Sequence, residues 1–191
     1  MSVMLSGVTV TVHINSSGDV DEQQLADTLT AGAAAANKCE PTIASLVCQY
    51  EQTSVDAKRA NIEDRIREIY REALKDVSPT NLLSLSVKLL THLTLRHVCL
   101  DRVEQVEGSS IVLHCHVITV EALLALKQMI DSDELCQLFS DMFNLFANIE
   151  VIVTVSLSPE EFSKALSLLT STGKCCLNVI GHCLLTFLYR I

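Results

Sequence analysis

Between Gly108 and Gly173 the hydrophobic period changes in a set order, and few folds accommodate that order. Ile111, Leu113, Cys115 and Val117 alternate with Val112, His114 and His116, the period of two that marks a strand with one buried face. Gly108, Ser109 and Ser110 supply turn chemistry before it. Thr119 can cap the following helix, and Glu121 suits the positive end of its dipole. Leu123, Leu124, Leu126, Met129 and Ile130 form an apolar helical stripe; Asp131, Ser132 and Asp133 break that helix and can cap the next. Leu135, Leu138, Phe139, Met142, Phe143 and Phe146 recur at three- and four-residue steps up to Asn148, so this helix also buries one face. Val151, Val153, Val155 and Leu157 then alternate with Ile152, Thr154 and Ser156 as a second strand. Ser158, Pro159 and Glu161 open a last helix in capping-box spacing, with Phe162, Ala165, Leu166 and Leu169 on its buried face and Gly173 as its stop. The stretch reads strand, helix, helix, strand, helix.

The remainder completes the sheet. Val8, Val10, Val12 and Ile14 alternate with Thr9, Thr11 and His13 as a first strand. Residues 15–18 turn, Asp19 or Asp21 can cap, and a helix carrying Leu25, Leu29 and a run of alanines reaches about Asn37. This strand–helix unit resembles the one at 151–173, which suggests a weak internal repeat. The two copies then share one sheet, or residues 1–37 belong to a second, incomplete copy. Glu40-Pro41 breaks the chain, and the segment holding Ile43, Leu46, Val47 and Tyr50 stays unassigned. Gln52 to Asp56 reads as a linker. A helix follows to Val77, burying Ile62, Ile66, Ile69, Tyr70, Ala73 and Leu74 and exposing Glu63, Arg67, Glu68, Arg71 and Lys75. Residues 82–90 fit either period and are assigned to helix, because 93–100 supplies a strand with Leu93, Leu95, His97 and Cys99 on one side. Residues 101–110 are then a long hairpin loop.

The expected fold is α+β: a two-layer sandwich with a four-stranded, mostly antiparallel sheet and helices packed on one face. It divides into an N-terminal strand–helix unit (1–50), a sandwich domain (55–173) and an apolar C-terminal tail (174–191). About half the residues are hydrophobic (49%), enough for a sizeable core, and the formal charge of -9 with no basic run excludes nonspecific nucleic-acid binding. The start lacks a basic, apolar secretory leader, and the eight cysteines include no Cys-x-x-Cys pair. Reduced thiols in the cytoplasm are therefore expected rather than disulfides. The tail holds Leu177, Val179, Ile180, Leu184, Leu185, Phe187 and Leu188 but is interrupted by Asn178, His182 and Thr186. It is shorter than the roughly 20 residues of a spanning helix, and reads as a core helix, a partner-binding segment or a membrane contact.

No catalytic constellation is legible. Cys99 and Cys115 fall on apolar strand faces, no nucleophile elbow or phosphate loop occurs, and the acidic pairs Asp131/Asp133 and Glu160/Glu161 sit at helix starts, where capping explains them. His114 and His116 share a strand face and could ligate zinc if His92 or His97 lay on the next strand. A polar outer sheet face explains them more simply. That face, with Arg96, His114, His116 and Thr154 on it, is the expected partner-binding surface. No cofactor is expected.

One resemblance sharpens this reading. The runs at 110–117, 122–129, 133–139, 149–155 and 160–166 together resemble, in pattern and spacing, the N-terminal domain of the tumour-necrosis-factor-receptor-associated death-domain adaptor and related invertebrate immune-type domains. It covers roughly residues 57–170. The resemblance implies an α/β sandwich without an active site: a cytosolic scaffold in innate-immune or cell-death signalling that docks receptor-associated-factor or death-domain proteins. The chain departs from it in having no death domain after 170 and no counterpart for residues 1–50 or the tail. The resemblance carries over no partner-contact residue. Readings from other classes are a small-molecule or metal-binding regulatory domain using His114 and His116, and a membrane-associated effector using the tail. Self-association is compatible with each.

Overall fold

The computed structural model describes residues 6–15, 22–106, 110–145 and 151–176. In chain order the elements are β1 (Ser6–Asn15), α1 (Glu22–Lys38), α2 (Glu40–Gln52), α3 (Asp56–Leu74), α4 (Thr80–Leu95), β2 (Val98–Val106), β3 (Ser110–Val117), α5 (Val120–Asp131), α6 (Glu134–Asn144), β4 (Ile152–Leu157) and α7 (Pro159–Cys176). The four strands form one antiparallel sheet in the order β2-β3-β1-β4. Helices cover one face of it, as the period-two strands require.

β1 is an inner strand. It pairs with β3 from Ser6↔Val117 to His13↔Ser110 and with β4 from Val10↔Leu157 to Asn15↔Ile152. The N-terminal strand–helix unit therefore shares its sheet with the strands of 55–173, and the two similar units lie side by side as antiparallel neighbours. Val8, Val10, Val12 and Ile14 enter the core with Ile111, Leu113, Cys115 and Val117 of β3 and Val151 and Val153 beside β1's other edge. From the helices come Leu25, Leu29, Ile66, Tyr70, Leu89, Leu126, Phe139 and Phe143.

The region 93–106 differs from expectation. The strand expected at 93–100 is Val98–Val106, and α4 runs on through Leu95. The N–H of Arg96 donates to the Leu93 carbonyl and that of His97 to the Thr94 carbonyl, and His97 takes a left-handed φ of 56° that turns the chain into β2. The strand thus begins five residues later, with its inward residues at even rather than odd positions. Val98 and Leu100 point into the core, and Cys99 points out. A one-residue shift exchanges the faces of a strand. Residues 101–106, expected as loop, continue β2 with a bulge between Leu100 and Arg102.

Other ends are set by tertiary contact. The unassigned segment is α2, started by Pro41 in its first turn and burying Ile43, Leu46 and Val47. Thr119 does cap α5, its hydroxyl accepting from the Ala122 N–H at 3.0 Å. Asp133 precedes α6 with a φ of 59° and no side-chain cap bond. Glu161 does not close a capping box; its carboxylate accepts the Thr9 N–H of β1 at 3.0 Å. Because β4 ends opposite Val10, that N–H has no strand partner on this side, and the first turn of α7 supplies one. Gly173 does not stop α7, which continues to Cys176. The turn at 16–18, the caps Asp19 and Asp21, Phe146, Asn148 and the tail beyond 176 lie outside the described residues. The outer face of α3 carries the expected ion pairs: Arg67 with Glu63 and Asp64, Arg71 with Glu68, and Lys75 with Glu72.

The alanines of α1 allow close packing. Gly32 meets α4 so tightly that a Cβ there would stand 2.3 Å from Cδ1 of Leu90. Leu90 is only 2% exposed and has little room to move. Gly32→Ala gains about 1 kcal/mol in helix propensity but meets an overpacking cost of about 1–3 kcal/mol. Packing should win: thermal denaturation is expected to show a lower Tm for Gly32→Ala, with recovery in Gly32→Ala/Leu90→Val.

Candidate functional site

The face of the sheet away from the helices is the candidate site. The strand register lays it out in rows. Cys99, His116 and Gly7 form one row, and Arg102, His114 and Thr9 the next. Glu104, Val112, Thr11 and Ser156 follow, then Val106, Ser110, His13 and Thr154. Ile152 stands at the far corner, 62% exposed. The surface is open and nearly uncharged toward β4, and charged toward β2.

Three histidines share this face, one more than the sequence suggested. His114 Nε2 lies 3.1 Å from Glu104 Oε2, an ion-pair distance without hydrogen-bond geometry. His116 Nε2 lies 3.6 Å from Asp101 Oδ2. His13 Nδ1 is 3.0 Å from the Ser110 hydroxyl. His13 escaped the sequence reading because its strand partners lie far along the chain.

Thr154 is on this face, as expected, and exposed. Arg96 is not. It stands at the end of α4, where its guanidinium is 3.3 Å from both Glu134 oxygens in a cluster with His92. The Arg96 guanidinium at the C-terminus of α4 meets an acid in the first turn of α6, which suits both helix dipoles. His97 pairs with Glu51 at 2.8 Å. Neither His92 nor His97 joins His114 and His116, so the third zinc ligand anticipated from the sequence is engaged elsewhere. Among the described residues no group of three His, Cys, Asp or Glu could hold a metal ion.

The register brings Cys99, His116 and Asp101 near one another, an arrangement concealed by the expected strand boundary. A working nucleophile would need its thiol lowered by the imidazole. Cys99 is exposed as a residue, yet burial of its thiol holds it above the ordinary range, with Glu40's charge adding to this. No hydrogen bond joins its sulfur to His116 Nδ1. Cys115 faces the core, and burial pushes its thiol up to about 12. The described cysteines 39, 48, 99, 115 and 136 are free.

The best-formed depressions are shallow and lie off this face, one along Leu124, Lys127, Gln128 and Asp131 and one along Pro41, Ser45, Gln49 and Arg65. Among the described residues no helix is long and apolar enough to cross a membrane. No protein-family model, no curated protein and no solved structure matches the chain.

Two core groups set an alkaline limit. Burial raises Tyr70 from 10.0 to about 12, although its hydroxyl is 2.6 Å from Thr94 Oγ1. Burial likewise raises Cys115 from 9.0 to about 12. Both are neutral when protonated, so the folded state keeps protons that the unfolded chain releases. Their contribution is full below about pH 9 and falls as pH rises toward 12. Denaturant titrations are expected to show a midpoint unaffected by these two groups up to about pH 9 and falling above it. Tyr70→Phe should reduce the alkaline loss while costing about 1 kcal/mol at neutral pH through the lost hydrogen bond.

Proposed function

We propose that this chain is a non-enzymatic interaction module that docks a protein partner on the open face of its sheet. The observation that carries this reading is the asymmetry of the sheet. One face is buried under helices; the other presents Thr9, Thr11, Thr154, Ser156, Val112 and three histidines to solvent. A rigid antiparallel sheet with one uncovered, largely uncharged half can accept a complementary surface at little conformational cost. The absence of an activated thiol in the Cys99–His116–Asp101 group supports binding over catalysis.

The resemblance in the sequence supplies the class of partner: receptor-associated-factor or death-domain proteins of innate-immune or cell-death signalling, met in the cytoplasm. The test is a calorimetric titration of the purified chain with a purified trimeric receptor-associated-factor domain. Thr11 and Thr154 lie in adjacent rows, so Thr11→Arg/Thr154→Arg places two long cations in the middle of the face. The expected outcome is binding by the parent chain, weakened at least about tenfold, or about 1.4 kcal/mol, in the double variant. No heat with the parent chain, or equal affinity in both, would overturn the proposal.

A further inference from the structure

The two edges of the sheet differ. At one, β2 carries Asp101, Arg102, Glu104 and a bulge, and α1 packs closely against it. At the other, β4 has no charge, no proline and no bulge in its pairing with β1. Folded proteins cover or charge such a plain edge. Its parity follows from β1. The Thr9 N–H points to the β4 side, so Thr11, His13 and Asn15 exchange backbone bonds with Ser156, Thr154 and Ile152. Val153, Val155 and Leu157 therefore turn their backbone groups outward. From that side the Cys136 thiol donates to the Val153 carbonyl, and Asn144 Oδ1 accepts the Val151 N–H. There the cover stops. Among the described residues nothing meets the N–H or carbonyl of Val155 or Leu157 from the outer side.

The side chains end their cover at the same place. Val151 and Val153 are 3% and 4% exposed, whereas Val155 and Leu157, on the same core-facing side, are only half-buried. Phe162 and Leu166 of α7 are half-buried as well. A further strand here, apolar toward the helices, would satisfy the free backbone groups and close the core layer together.

Residues 185–191 carry that pattern. Leu185, Phe187, Tyr189 and Ile191 alternate with Thr186, Leu188 and Arg190, a period of two rich in strand-forming side chains. The reach is sufficient. α7, with 18 residues, spans about 27 Å, and residues 177–191 reach about 50 Å when extended. Whichever way α7 runs, the chain can return to Leu157 and lay a short strand beside it. As part of the same chain the segment meets the edge at an effective concentration on the order of millimolar, which a separate peptide or a second copy must supply from solution.

We propose that residues 185–191 add a fifth strand to the free edge of β4. Leu185, Phe187, Tyr189 and Ile191 lie toward the helices beside Val155 and Leu157. Thr186, Leu188 and Arg190 extend the open face beyond Thr154 and Ser156, and Arg190 brings a cation to its uncharged half. The pairing does not rest on the docking reading above.

The test is amide hydrogen exchange of the full chain, followed residue by residue by nitrogen-15 NMR at two protein concentrations about tenfold apart. In the parent, the Val155 and Leu157 N–H groups are expected to exchange within about tenfold of those of Thr154 and Ser156, which bond β1, and equally at both concentrations. Phe187→Pro/Leu188→Pro removes a donor on each side of the segment, and Phe187→Asp/Tyr189→Asp charges its apolar side. Each should speed exchange at Val155 and Leu157 at least about tenfold while the Leu113 N–H of the inner strand β3 stays slow. Fast exchange at Val155 and Leu157 in the parent, or protection that survives both variants, would overturn the proposal. So would protection that rises with concentration, which assigns the edge to a second copy. Loss of Leu113 protection in both variants would make the segment part of the core rather than an added strand, and would overturn it too.

Discussion

The structure depends on β1 finding a partner on each side. Its residues pair with β3 and β4 across roughly one hundred or more positions of chain, so the sheet closes only after most of the sequence is present. Without β1, β3 and β4 have no ladder between them. Most backbone groups of the inner strands are satisfied by neighbours, and side chains supply partners where the ladder stops. Glu161 takes the Thr9 N–H beyond the end of β4. At β4, the Asn144 side-chain Oδ1 accepts the N–H of the preceding Val151 at 3.1 Å, and the Cys136 thiol donates to the Val153 carbonyl at 2.8 Å. Residues 151 and 153 present their backbone groups to the same side of the strand, so α6 covers part of the sheet's β4 edge as well as packing on its core.

That arrangement explains why one face remains open. The helices follow their strands back over the same side, and the apolar residues of every strand point there. Small residues at Ala26, Gly32, Ala33 and Ala35 let α1 settle against β2 and α4 rather than stand off. Among the described residues the opposite face is left uncovered. Its polar character follows from the strand alternation, while its charge distribution follows from which strands are neighbours. β2 places Asp101, Arg102 and Glu104 beside the histidines of β3, and β4 adds only Thr154, Ser156 and Ile152.

The titratable groups of this face are held in pairs or by burial. Its histidines are met by carboxylates or a hydroxyl, and the nearest thiol is held protonated by burial rather than activated. His92, Arg96 and Glu134 form a cluster that joins α4 to α6 away from the sheet face. Arg96 is therefore a structural tie between α4 and α6.

By itself the sequence determined the α+β class, the strands at 8–14, 111–117 and 151–157, the capped start of α5 and the shared face of His114 and His116. Each follows from local alternation or from a side chain reaching its own helix end, and such patterns act over a few residues. Tertiary structure decided the rest. It placed β1 between β3 and β4, set His13 on the same sheet face as His114 and His116, and turned Glu161 from a helix cap into a partner for β1. It also settled 82–106, where the leucines of 82–90 satisfy both periods and the strand expected at 93–100 is Val98–Val106. Only the left-handed turn at His97 and the pairing with β3 set which residues of β2 face inward. A periodic pattern states that an element has two faces, but the neighbours that cover one of them decide which face that is.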